Sequence, residues 1–208
     1  MNITAKQIER SNAVLVFKEG TFAPPEPAEL FSLYSADGVK GSLFSDNASS
    51  ATRVFQFPAL GFTWVFEPNR ARIEDNRHRP PDESRLVAEL LRMVTKLRPQ
   101  AVSTMHGFNY DIIYRMDTVI AVGDVMSRFL RPEMVENVKD FGWQYTISKE
   151  KSKRLETYFF KVVSPIEYAV HANCHFNEPG LPRETDMTKS FIQEYKVVDE
   201  AINHISFN

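Results

Sequence analysis

The sequence of 208 residues predicts an α+β protein: two antiparallel strand triplets, each followed by a long helix. Three observations carry that prediction. Short apolar or alternating runs follow one another through tight, proline-bearing turns, too closely for the crossovers that parallel neighbours need. Two long segments repeat apolar residues at helical spacing. The order strand, helix, three strands, helix also runs through the chain twice, which reads as a duplicated β-α-β-β-β-α unit. The expected domain is a single one over 1–208, with pseudo-repeated halves at 11–99 and 100–208.

Taken in order, Ala13–Phe17 is a short apolar run and reads as a buried strand. Pro24-Pro25-Glu26-Pro27 breaks the chain, and Ala28–Tyr34 then suits a short helix. Ser42–Ser50, rich in Ser, Asn and Asp, reads as a loop. Three strands follow at Thr52–Phe57, Phe62–Phe66 and Arg70–Glu74, with turns at Pro58-Ala59-Leu60-Gly61 and Pro68-Asn69. After Pro80-Pro81, Leu86, Val87, Leu90, Leu91, Val94 and Leu97 form a helical stripe that Asp82 or Ser84 is placed to cap. The second half opens with a strand at Ala101–Phe108, extended by Tyr110–Tyr114. A helix is expected over 121–130, with a further turn or two over 133–139. Strands are expected at Phe141–Ser148, Leu155–Val163 and Ile166–Phe176. Thr185 or Asp186 then caps a last helix bearing Phe191, Ile192, Tyr195 and Val198.

Composition narrows the function classes. With 12 Pro, 8 Gly, 43 % hydrophobic and 25 % charged residues, the chain is neither collagen-like nor disordered. A net charge of -2 argues against nucleic-acid binding by bulk charge. Cys174 is the only cysteine, which excludes an intramolecular disulfide and an all-cysteine zinc site. The first apolar run is too short for a signal peptide, and no run approaches the ~18 apolar residues of a membrane span. A cytoplasmic setting, away from membranes, is the expectation.

In the order of its elements, the chain resembles the TATA-box-binding-protein-like fold. That resemblance implies a sheet with two long helices on one face and an exposed opposite face. Paired βαβββ modules also resemble the glyoxalase-type metal enzymes, although the two long helices are surplus to that module.

Three groups of residues are candidates for function. Arg70, Arg72 and Arg77, with Lys151, Lys153 and Arg154 at a hairpin tip, are placed to engage phosphate. Interleaved carboxylates such as Glu67, Glu74 and Asp75 make a solvated, ion-paired strand the blander reading. His171 and His175 share a strand face but stand about 13 Å apart, too far to chelate one ion without a partner such as His106. Phe55, Phe57, Trp64, Phe66, Tyr158 and Phe160 load the strands with aromatics, either as core or as an interface with a second subunit. No glycine-rich phosphate loop, nucleophile elbow, His-Glu-x-x-His helix or dinucleotide fingerprint occurs, so no catalytic residue and no cofactor is predicted. The leading expectation is a non-catalytic binding or assembly protein that uses a sheet face or edge to meet a protein partner or itself. Nucleic-acid binding through the basic segments and a metal or small-molecule enzyme are the alternatives.

Overall fold

The computed structural model describes residues 2–39, 43–47, 51–119, 123, 126–127, 131, 141–149 and 153–203. Over these residues it is an α+β protein with one large antiparallel sheet and three described helices. The strands are β1 (Ile3–Phe17), β2 (Leu43–Asn47), β3 (Thr52–Phe57), β4 (Phe62–Glu67), β5 (Arg70–Asp75), β6 (Ser103–Met116), β7 (Gly142–Lys149), β8 (Arg154–Ser164) and β9 (Glu167–Phe176). The helices are α1 (Pro27–Ser35), α2 (Leu86–Leu97) and α3 (Glu184–Asn203). Across the sheet the strands run β2-β3-β4-β5-β1-β6-β9-β8-β7. The first half therefore joins the second through one antiparallel pair, β1 with β6.

All three helices pack on the same face. Tyr34 of α1 accepts a hydrogen bond from the Trp64 indole of β4 at 3.1 Å. The apolar stripe of α2 joins the same buried cluster as Trp64, Phe66 and Ile73. On α3, Phe191 stacks on Tyr110 of β6 and its carbonyl accepts the Tyr110 hydroxyl at 2.6 Å. Successive strand residues point to opposite faces. Trp64, Phe55, Phe108, Tyr110, Tyr158 and Ala172 therefore all turn toward the helices and are buried. Each large side chain so buried contributes roughly 1.5–3 kcal/mol.

Several expectations need correcting. The segment 42–50, read as a loop, contains the edge strand β2, so the first triplet is a quartet. Its Ser, Asp and Asn residues hide a strand whose partner among the described residues is β3. Strand β1 starts ten residues before Ala13: its N-terminal half is polar and exposed, held by backbone pairing with β6 rather than by an apolar pattern. Helix α2 is not capped by Asp82 or Ser84. Arg85 occupies the N-cap, and the Ser84 hydroxyl instead donates to the buried Asp75 carboxylate at 2.8 Å. Helix α3 begins at Glu184, so Thr185 and Asp186 fall inside its first turn. The helix expected over 121–130 and the turns over 133–139 lie outside the described residues, apart from Gly123, Met126, Ser127 and Arg131.

Candidate functional site

The face of the sheet opposite the helices holds the candidate site, and strand register assembles it. One transverse row places Gln56, Thr63, Glu74, Asn12, Asn109, Asn173, Thr157 and Thr146 on neighbouring strands from β3 to β7. All eight are polar. The Asn109 side-chain amide donates to the Asn12 side-chain oxygen Oδ1 at 2.7 Å, tying β6 to β1, and the Thr146 and Thr157 hydroxyls lie 3.1 Å apart. Asn12 is only 3 % exposed and Asn109 8 %, although none of the three helices covers this face. The Asn173 carboxamide oxygen is shielded from solvent and has no hydrogen-bond partner among the described residues.

The next row is ionic. Arg10, Asp111 and His171 are neighbours on β1, β6 and β9, followed by Phe159 on β8. Asp111 accepts from Arg10 Nε at 2.6 Å and meets His171 Nδ1 at 2.5 Å. Burial works to raise the Asp111 carboxyl, but the bonds from His171 and Arg10 prevail and hold it below the ordinary carboxylate value. Arg10 also approaches Glu74 at 3.8 Å, and Glu74 pairs with Arg72 at 3.0 Å. An ion-paired chain thus runs from His171 to Arg72 across four strands. It fixes long side chains that would otherwise be mobile, and leaves Phe159 beside His171 40 % exposed.

Gly107 and His175 occupy the row beyond the asparagines. A β-carbon on Gly107 would stand 2.8 Å from the Cys174 carbonyl oxygen and 3.0 Å from His175 Nδ1, so the imidazole leans over the glycine. Burial, reinforced by nearby Arg70, lowers the pKa of His175.

The residues singled out from sequence scatter among several places. Arg70 and Arg72 lie on the face opposite the described helices, paired with Glu67 and Glu74. Arg77 lies beyond β5, where it donates to the Ala59 carbonyl at 2.5 Å. Arg154 points to the helix side, where Glu156 and Glu194 both engage it. Lys153 sits in the turn before β8, and Lys151 lies outside the described residues. No single phosphate-binding surface joins Arg70 and Arg72 to Arg154, because they point to opposite faces. The three histidines separate in the same way. His171 and His175 share the face opposite the described helices, but His106 is buried on the helix side, stacked on Phe176 at 4.7 Å. Among the described residues no three metal-ligating side chains converge.

The proposed interface aromatics Phe55, Phe57, Trp64, Phe66, Tyr158 and Phe160 are all between 0 and 1 % exposed. They form the core under the helices and so are not available to a second subunit in this fold. The physical reason is alternation: the residues between them, such as Val54, Gln56, Val65 and Thr157, take the other face.

Cys174 belongs to a separate buried cluster on the helix side. There Glu156 takes Lys149 at 2.7 Å, Arg154 and the Tyr158 hydroxyl at 3.0 Å. Burial raises the Glu194 carboxyl despite Arg154, and burial likewise pushes the Cys174 thiol well above its ordinary value. Such a thiol is a poor nucleophile. The cluster fastens α3 to β8.

The residues that sequence reasoning missed are Asn12, Asn109, Asn173, Arg10 and Asp111. Their signal was present: Asn109 lies between Phe108 and Tyr110, and Asn173 between Ala172 and Cys174. A carboxamide flanked by core residues on a strand marks the second face as chemically distinct. Neither a protein-family model nor a curated protein matches the chain.

Proposed function

We infer that this chain is a non-catalytic binding protein whose recognition surface is the sheet face opposite the three described helices. The observation that supports this reading is the polar row through Asn12, Asn109 and Asn173. The Asn12 and Asn109 carboxamides are enclosed and bonded to each other, whereas the shielded Asn173 oxygen has no partner among the described residues, a costly state for a buried polar atom. A partner that presents a donor to this face would satisfy the Asn173 oxygen, which has none among the described residues. The ion-paired chain from Arg72 to His171 holds the surrounding side chains in place, which lowers the ordering cost of association. The partner is a macromolecule presenting hydrogen-bond donors, and the setting is the cytoplasm, where Cys174 stays a thiol. Among the described residues no helix is long and apolar enough to cross a membrane.

Duplication is part of the same reading. In each half the last strand pairs with the first, β5 with β1 and β9 with β6, and the two halves meet at the β1–β6 seam. The arrangement favours a repeated unit whose element order resembles the TATA-box-binding-protein-like fold.

Native mass spectrometry of the chain isolated gently from its own cells tests the reading. The expected spectrum carries mass beyond the chain that is lost in an Arg72→Glu/Asn173→Arg variant. Extra mass retained by that variant, or no extra mass other than a second copy, overturns it.

A further inference from the structure

Sheet order leaves two edges, and they differ. Strand β2 is five residues long and carries Asp46 next to its central Ser45. Strand β7 is eight residues long and has no charged side chain between Gly142 and Ser148. Natural edge strands are protected by proline, charge, bulges or shortness, and β7 shows none of these over that stretch.

The direction of its main chain is fixed by one bond. The Val162 amide donates to the Phe141 carbonyl at 3.0 Å. Antiparallel ladders alternate, so Trp143, Tyr145 and Ile147 exchange hydrogen bonds with β8. Gly142, Gln144, Thr146 and Ser148 therefore point their N–H and C=O groups away from the sheet. All four are exposed, and no described backbone group bonds to them from outside.

We propose that β7 pairs antiparallel with β7 of a second copy, across a two-fold axis centred on Tyr145. This inference rests on the edge alone and is independent of the face reading above. The sequence is self-complementary in that register: Tyr145 meets its own copy, Gln144 meets Thr146, Gly142 meets Ser148, and Trp143 meets Ile147. Polar residues of both copies share one face and aromatic or aliphatic residues the other. Lys149 falls opposite Phe141, so no like charges oppose one another. A closed two-fold pairing uses up the edge, whereas a head-to-tail contact would leave it open. In β2, by contrast, the same symmetry about Ser45 places Asp46 against Phe44.

Sedimentation equilibrium or light scattering on the intact chain, over a dilution series, tests the pairing. The wild type is expected to show a reversible monomer–dimer equilibrium. Thr146→Pro removes an outward N–H that β8 does not use, and should weaken the dimer about tenfold or more. Two charge variants fix the register. Gln144→Lys/Thr146→Lys sets like charges against each other and should abolish the dimer. Gln144→Lys/Thr146→Glu sets opposite charges together and should keep it. Circular dichroism and urea midpoints confirm that each variant is folded. A wild type that is monomeric throughout overturns the proposal. So does a dimer equally strong in all variants, or a different protein that Thr146→Pro releases.

Discussion

Replacing Asp111 with asparagine probes the ionic row most sharply. Asp111 accepts two short charge-assisted hydrogen bonds, from Arg10 and from His171. When fully buried, each such bond is worth roughly 1.5–3 kcal/mol. Here the side chains are 24 % exposed at Asp111, 46 % at Arg10 and 40 % at His171, so solvent screening cuts the value. Exposed ion pairs give about 0.2–1 kcal/mol each, which leaves roughly 0.4–2 kcal/mol for the two together. The sign of the pH dependence follows from the depressed carboxyl. A carboxylate with a lowered native pKa adds stability that is present above its unfolded pKa of about 3.9. That contribution fades as pH falls through the native value. Asp111→Asn should therefore lower the urea midpoint at neutral pH, and the difference from wild type should shrink below about pH 4. Double-mutant cycles with Arg10→Ala and His171→Ala should each return a coupling of at least ~0.5 kcal/mol. An unchanged midpoint at pH 7 with zero coupling would show that the row is not a fixed network.

Other outcomes follow from the packing. Trp64→Ala removes a fully buried ring stacked on Phe66 at 5.4 Å and a hydrogen bond to Tyr34, and should cost about 3–5 kcal/mol in urea unfolding. Gly107→Ala places a β-carbon against the Cys174 carbonyl, so it should destabilise by roughly 1–3 kcal/mol and shift the His175 ring resonances. Cys174, with 0 % exposure and a raised pKa, should react with a thiol reagent only at the rate of unfolding, and rapid labelling of the native chain would contradict the buried cluster.

Helices and inner strands were legible in the sequence because burial leaves a periodic trace. Helix α2 and strands β3 to β5 lie within a residue of their expected bounds, since Leu86, Leu90, Val94 and the alternating Phe55, Phe57, Trp64 and Phe66 write their environment directly. Strand β2 and the first ten residues of β1 were not legible, because edge pairing is made by backbone groups that every residue has. The candidate site was half-legible. His171 and His175 were set on one strand face by period-two alternation, and Arg70 and Arg72 also lie together on that side of the sheet. What alternation cannot supply is which strands become neighbours. The alignment of Asn12 with Asn109 and Asn173, and of Arg10 with Asp111 and His171, depends on the β5-β1-β6-β9 order. The same missing order is why Arg154 was grouped with Arg70 and Arg72, and His106 with His171. Each of those pairs shares a residue type and points to opposite faces.

Histidine footprinting inside cells tests the recognition surface most directly. His171 lies on the face opposite the described helices with its side chain 40 % exposed, and His78 is exposed in the turn beyond β5. Diethyl pyrocarbonate should modify both in the purified chain. In intact cells His171 should be protected while His78 is modified as before. Equal modification of His171 in both settings would contradict a face that is occupied in the cell.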